Sequence, residues 1–216
     1  MNLLIEKIQQ ADWADRVITE GQLARILDGT PQRRYNLVNR ALHRGELLHL
    51  RRGLYLLSSA KRHRKVHPFV LAQSLQPGSY VSFETALSFH GWIPESTPVT
   101  MGVTPGIRRQ EIDVKEFGLF RFYPLAISTG YFLENVDRQV FVGRSALVAK
   151  PLRALLDIVC LRKLNATGIM AFIESMRIDA DLLAQIEDEE LQRMLFVYKH
   201  KRMSSFIVAL RRELKA

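Results

Sequence analysis

Apolar and polar positions along the chain switch between a helical and a strand period. Leu3, Leu4, Ile8 and Ala11 recur near helical spacing, which predicts an amphipathic helix over residues 2–13. Thr19 is a good N-cap for a second helix over 20–27, with Leu23, Ile26 and Leu27 facing inward. Asp28-Gly29-Thr30 reads as a turn. Thr30 then caps a third helix with Pro31 at its first position, where the missing N–H costs nothing. This helix is expected to run to Arg44 and stop at Gly45. Two short strands, 46–50 and 54–58, follow it, joined by the hairpin tip Arg51-Arg52-Gly53. Helix, turn, helix and then a two-stranded ribbon with a basic tip make up the pattern of a winged helix-turn-helix.

Beyond a basic linker, Lys61 to Lys65, the period alternates again. Helices are predicted over 68–76 and 83–90, the second capped by Ser82, with Tyr80-Val81 extended between them. Strands are predicted over 97–104, 107–114, 118–123 and 140–149. Helices over 152–161, 167–176, 181–186, 189–200 and 203–214 complete the chain. The expected fold class is α+β, with a winged helix-turn-helix and its linker over 1–65. A second α/β domain, with a small sheet and a helical C-terminus, is expected over 66–216.

Composition adds exclusions. The chain has 216 residues, of which 47% are hydrophobic and 25% charged, ample for a packed core. No window reaches the roughly 18 apolar residues of a membrane span. Residues 1–10 carry Glu6 and Lys7 and lack a signal-peptide pattern, so a soluble, cytoplasmic protein without a membrane partner is expected. The single cysteine, Cys160, excludes an internal disulfide framework and a multi-cysteine zinc site. Its apolar surroundings, 155–161, point to a buried thiol.

The net charge of +9 is not spread evenly. Residues 31–65 hold ten cations (Arg33, Arg34, Arg40, Arg44, Arg51, Arg52, Lys61, Arg62, Arg64 and Lys65) against the one acid Glu46. The remainder carries as many acids as cations. Such clustering suits a row of phosphates. On a wheel of 100° per residue, Gln32, Asn36, Asn39, Arg40 and His43 face outward, with Arg33 and Arg44 at the margin. Tyr35, Leu37, Val38, Ala41 and Leu42 are expected inward, with Arg34 snorkelling from the apolar edge. Arginine matches guanine O6 and N7, and Asn or Gln matches adenine N6 and N7. Arg51 and Arg52 are expected at phosphates or a minor groove, and Lys61, Arg62, Arg64 and Lys65 extend the same basic surface. The expected partner is double-stranded DNA.

Three blocks carry a family resemblance. The first runs from Arg44-Gly45-Glu46-Leu47 to Arg51-Arg52-Gly53-Leu54-Tyr55. The second is Pro77-Gly78-Ser79-Tyr80-Val81-Ser82-Phe83-Glu84-Thr85-Ala86-Leu87-Ser88-Phe89-His90-Gly91-Trp92-Ile93-Pro94. The third is Ala149-Lys150-Pro151-Leu152-Arg153-Ala154-Leu155-Leu156-Asp157. Together they resemble the AbiEi family, antitoxins and transcriptional regulators of AbiE-type (type IV) toxin–antitoxin abortive-infection systems. The resemblance implies a winged helix that represses its own operon at promoter inverted repeats, as a monomer or a DNA-induced dimer. It also implies a second domain that opposes a nucleotidyltransferase toxin without a tight complex.

No catalytic constellation and no cofactor motif emerges, so an enzyme is not expected. A nucleotidyltransferase needs a Gly-Ser turn and two carboxylates one residue apart. Gly143-Arg144-Ser145 and Asp157-Ile158-Val159 supply neither. Ser58-Ser59-Ala60-Lys61 matches Ser-x-x-Lys without its companion motifs. His63 and His67 are four apart but followed by Pro68 among cations, which argues against a metal site, and His90 reads as a packed helix-end residue. The alternative function is a DNA-anchored interaction module whose second domain binds a protein or small effector.

Overall fold

The computed structural model describes residues 3–215. Helix α1 (Leu3–Gln10), strand β1 (Ile18–Thr19), helices α2 (Glu20–Ile26) and α3 (Pro31–His43), and the hairpin β2 (Leu47–Arg51) and β3 (Leu54–Leu57) come first. A short 3-10 turn, Ser59–Lys61, leads to α4 (Pro68–Leu75), β4 (Tyr80–Val81) and α5 (Phe83–Phe89). Strands β5 (Val99–Val103), β6 (Gln110–Val114), β7 (Gly118–Tyr123), β8 (Val136–Phe141) and β9 (Arg144–Ala149) follow. Helices α6 (Pro151–Arg162), α7 (Ile169–Ser175), α8 (Ala180–Ala184), α9 (Asp188–Met194) and α10 (Lys201–Glu213) end the order, an α+β fold. The first predicted helix began at Asn2, which lies outside the described residues; α1 buries Leu4, Ile5 and Ile8, while Leu3 is exposed.

The strands form two sheets among the described residues. The first has the order β1-β3-β2, all antiparallel. The second has the order β6-β7-β5-β4-β9-β8, with β4/β9 and β5/β7 parallel and the other pairs antiparallel. The single strand expected over 140–149 is a hairpin, β8–β9. Its turn puts Val142 at φ 49° and Gly143 at φ 76°. Two successive positive φ values belong to tight hairpin turns, but a β-branched residue strongly disfavours them, so the sequence carries no turn signal there. The helix expected over 189–200 stops at Met194, because the next segment turns back to the 126–128 loop. Ser128 donates its N–H to Val197 O and Lys199 donates to Ala126 O.

The β2–β3 hairpin belongs to both hydrophobic cores. Leu47 pairs with Leu57, and both close a core with Leu4, Ile8, Ile18, Leu23, Val38 and Ala41. Their neighbours Leu48 and Leu56 pair on the opposite face and join Leu50 in the larger core of the second sheet. Strand alternation sends successive side chains to opposite faces, so one hairpin fills two cores. The segment expected as a linker is anchored as well. Glu116, in the β6–β7 turn, accepts from Ser59 N at 3.2 Å and from the Arg62 guanidinium at 2.8 Å. Asp15 Oδ1 accepts the backbone N–H groups of His63 and Arg64 at 2.7 and 3.0 Å.

The larger core contains a fully buried ion pair. Arg153 Nε donates to Asp157 Oδ1 at 3.0 Å, one helical turn apart on α6, and both side chains are 0% exposed. The remaining guanidinium donors reach Tyr80 Oη at 2.6 Å and the carbonyls of Glu134, Tyr131 and Phe132. Asp157 also accepts from Tyr80 and Ser82 at 2.9 and 2.7 Å, and from Tyr198 at 2.7 Å. Ser82, expected to cap α5, thus spends its hydroxyl here and makes no capping bond. Burial tends to lower the Arg153 pKa, but Asp157 together with Tyr198 and Tyr80 outweighs it and holds the guanidinium above its ordinary value. Burial, with Asp157 beside them, pushes the Tyr80 and Tyr198 phenols well up, so both stay neutral donors. Removing one charge strands the other, which typically costs about 3–5 kcal/mol, whereas replacing both with apolar groups costs far less. Asp157→Ala should therefore lower the unfolding free energy by about 3–5 kcal/mol in denaturant titration. Arg153→Met combined with Asp157→Leu should lose less than the two single changes summed; simple additivity would contradict a coupled pair.

Candidate nucleic-acid interface

Helix α3 is set at both ends by its own sequence. Thr30 Oγ1 accepts the Arg33 N–H at 3.3 Å, and Pro31 occupies the first helical position. At the other end Gly45 takes φ 66°, its N–H bonds Leu42 O at 3.0 Å, and the Glu46 N–H reaches Ala41 O at 3.0 Å. This paired closure satisfies the last carbonyls and needs a residue tolerant of positive φ. Val38 and Ala41 are buried, with Leu37 and Leu42 half-buried beside them. Arg34 lies half-buried on this side and donates to Gly29 O at 2.6 Å, as its snorkelling position suggested.

The outward face carries most of the expected residues. Gln32, Arg33, Asn36, Arg40, His43 and Arg44 are exposed, and Asn39 is half-buried at the margin. Gln32 Nε2 donates to Asn36 Oδ1 at 3.2 Å, and Arg40 Nε donates to Asn36 O at 3.3 Å. Tyr35 departs from expectation: it is 62% exposed rather than packed inward. Its wheel position borders Gln32 and Asn39, beyond the edge of the stripe centred on Val38 and Ala41, and its phenol is better hydrated than buried.

Tyr35 and Asn39 line a cleft of about 120 Å³ between α2, α3 and β3, together with Glu20, Leu23, Pro31 and Tyr55. Burial, with Glu20 and Tyr35 nearby, raises the Tyr55 pKa. Across the hairpin the exposed His49 lies against Tyr55, with ring centroids 5.7 Å apart. At the tip Arg52 is exposed and Arg51 half-buried, while Gly53 O accepts the Glu20 N–H at 2.9 Å. That bond ties the tip to the start of α2. Arg33, Arg34, Arg40, Arg44, Arg51 and Arg52 enter no ion pair among the described residues. An exposed helix face of amides and guanidiniums beside a basic turn can hydrogen-bond base edges and phosphates.

The linker cations have surroundings of their own. Arg62, expected among the DNA-facing residues, is turned inward. Its side chain is 7% exposed, pairs with Glu116 and lies over Phe117, 5.1 Å from the ring centroid. Burial lowers its pKa despite Glu116 alongside, and its Nε and Nη1 have no hydrogen-bond partner. Lys61 is half-buried. Arg64 and Lys65 are exposed but line a separate cleft with Arg144, which shares no residue with the α2–α3–β3 cleft. Tyr35, His49 and Tyr55 extend the candidate face beyond the residues chosen from sequence. The signal for His49 and Tyr55 is their cross-strand pairing at the polar positions of an otherwise apolar hairpin.

Elsewhere, His90 ends α5 and shares a 3.0 Å hydrogen bond with Ala149 O, and Cys160 is buried with its thiol pKa pushed up to about 11 by burial. No helix among the described residues is long and apolar enough to cross a membrane. No protein-family model matches the chain, and no curated protein is significantly similar to it.

The Arg62–Glu116 contact predicts an asymmetry. Glu116→Ala leaves a buried guanidinium without its counter-charge and should cost about 3 kcal/mol. Arg62→Met keeps the stem over Phe117, removes the stranded donors and should cost much less. Chemical denaturation of both variants checks the order, and equal losses would contradict it.

Proposed function

We propose that residues 3–58 form a winged helix that binds double-stranded DNA, with α3 in the major groove and the β2–β3 tip on the flanking backbone or minor groove. The observation that carries this reading is the five cations Arg33, Arg40, Arg44, Arg51 and Arg52, which enter no ion pair among the described residues and lie beside amide side chains able to read bases. The order helix, strand, helix, helix, hairpin, with β1 pairing β3, supports it. Gln32, Arg33, Asn36, Asn39, Arg40 and His43 read base edges; Arg44, Arg51 and Arg52 hold phosphates. Lys61, Arg64 and Lys65 add long-range attraction.

The protein is a transcriptional repressor of its own operon at promoter inverted repeats, engaged by a monomer or by two copies meeting on DNA. Its second unit acts as an antitoxin against a nucleotidyltransferase toxin encoded alongside, without a tight complex and without an enzymatic activity of its own. The three sequence blocks that resemble the AbiEi family support this part. The second and third blocks supply Tyr80, Ser82, Arg153 and Asp157, which meet in one buried network. The resemblance therefore rests on residues that hold the fold.

Arg33→Ala with Arg40→Ala should abolish specific promoter binding while leaving thermal unfolding unchanged, since both side chains are exposed. Arg51→Ala with Arg52→Ala should weaken all duplexes alike and flatten the salt dependence by about one unit per lost phosphate contact. Electrophoretic shifts across a salt series separate the two effects, and an unchanged pattern in the α3 double variant would overturn the reading. Co-expression with the adjacent gene tests the antitoxin role: growth arrest by that gene alone and rescue by this one is expected, and a harmless or unrescued neighbour would contradict it.

A further inference from the structure

A second cleft shares no lining residue with the one beside α3. It has a volume of about 550 Å³ and sits where the first unit, the anchored segment 63–67 and the β8–β9 turn come together. Three cations line it, Arg64, Lys65 and Arg144, and all three are exposed without an ion pair among the described residues. Asp15 is also on the wall, but its Oδ1 is engaged by the backbone N–H groups of His63 and Arg64. It holds the segment in place. Three cations against the two carboxylates of Asp12 and Asp15, one of them already engaged by backbone N–H groups, leave the cleft with an excess of positive charge and unpaired donors that favour an anion.

The rest of the lining is not that of a simple phosphate site. Val70, Phe141 and Val142 provide an apolar side. Phe141 is held by the His67 ring, stacked on it with centroids 4.0 Å apart and planes 16° from parallel. Val142 is 64% exposed at φ 49°, a costly conformation for a β-branched residue that gains little packing in return. Asp12 adds a carboxylate able to accept from sugar hydroxyls or a base amine. Cations for phosphate, an apolar side for a flat ring and one acid for hydroxyls together describe a nucleotide. The volume falls within the range of small-ligand pockets, and a concavity of this size cannot admit a duplex.

We propose that this cleft binds a free mononucleotide, with its phosphates on Arg64, Lys65 and Arg144 and its base against Val70, Phe141 and Val142. The site stands whether or not α3 binds DNA. A nucleotide there bridges the β8–β9 turn to the connecting segment and stabilises the joint between the two units.

Isothermal titration and thermal unfolding of the full chain with the four ribonucleoside triphosphates, AMP, adenosine and pyrophosphate test this. Saturable binding of at least one nucleotide per chain is expected, with a rise in Tm, while adenosine fails to bind and pyrophosphate binds more weakly. Arg144→Glu and Lys65→Glu, both at exposed positions, should each weaken nucleotide binding by roughly tenfold or more. Arg33→Ala with Arg40→Ala should leave it unchanged. The proposal is overturned if no nucleotide binds at millimolar concentration, or if pyrophosphate binds as well as the nucleotides. It is equally overturned if the α3 variant loses binding while Arg144→Glu keeps it, which would place the ligand on the α3 face.

Discussion

A single β-hairpin that buries leucines on both of its faces holds the molecule together. Leu47 and Leu57 look into the small core under α3, and Leu48, Leu50 and Leu56 look into the core of the six-stranded sheet. Fully burying one leucine contributes about 2 kcal/mol, so withdrawing either face exposes several such side chains at once. The hairpin therefore cannot swing as a free wing. Glu116 and Asp15 tie down the segment that follows, so α3 and the Arg51–Arg52 tip are presented in a fixed relation to the second sheet. A basic face that needs no reorganisation loses less conformational entropy when it docks.

The buried Arg153–Asp157 pair has a different role in the second unit. It joins β4 through Tyr80, the 131–134 loop through its carbonyls and the chain before α10 through Tyr198. Every Arg153 nitrogen has a partner, and each Asp157 oxygen accepts twice. Only such saturation makes two dry charges tolerable. The polar centre of this unit is thus dry and fully hydrogen-bonded.

Much of the local structure was legible in the sequence, because caps and turns are local chemistry. Thr19 with Gln22 forms a reciprocal capping box, Thr30-Pro31 opens α3 and Gly45 closes it at the expected places. The outward face of α3 followed from the wheel, apart from Tyr35, whose hydroxyl matters more than its ring at a boundary position. Long-range pairing was not legible. No local pattern connects Arg62 to Glu116, 54 residues away, and an arginine in a basic run looks like its neighbours. The β8–β9 hairpin was missed because Val142 occupies a turn position that sequence rules assign to Gly or Asn. The apolar run on both faces of β2 and β3 did hold a clue: strands buried on both sides lose polar alternation, which a solvated wing would keep.

The charge pattern now divides into parts with different surroundings. Arg33, Arg40, Arg44 and Arg52 stand exposed on α3 and the tip, Arg62 is consumed by the fold, and Arg64 and Lys65 line a cleft with Arg144. Amide hydrogen exchange on the full chain, with and without a duplex carrying its own promoter, tests the proposed DNA face most directly. Protection confined to α3 and the 51–53 turn is the predicted result. Protection elsewhere, or none at duplex concentrations that saturate the chain, would contradict it.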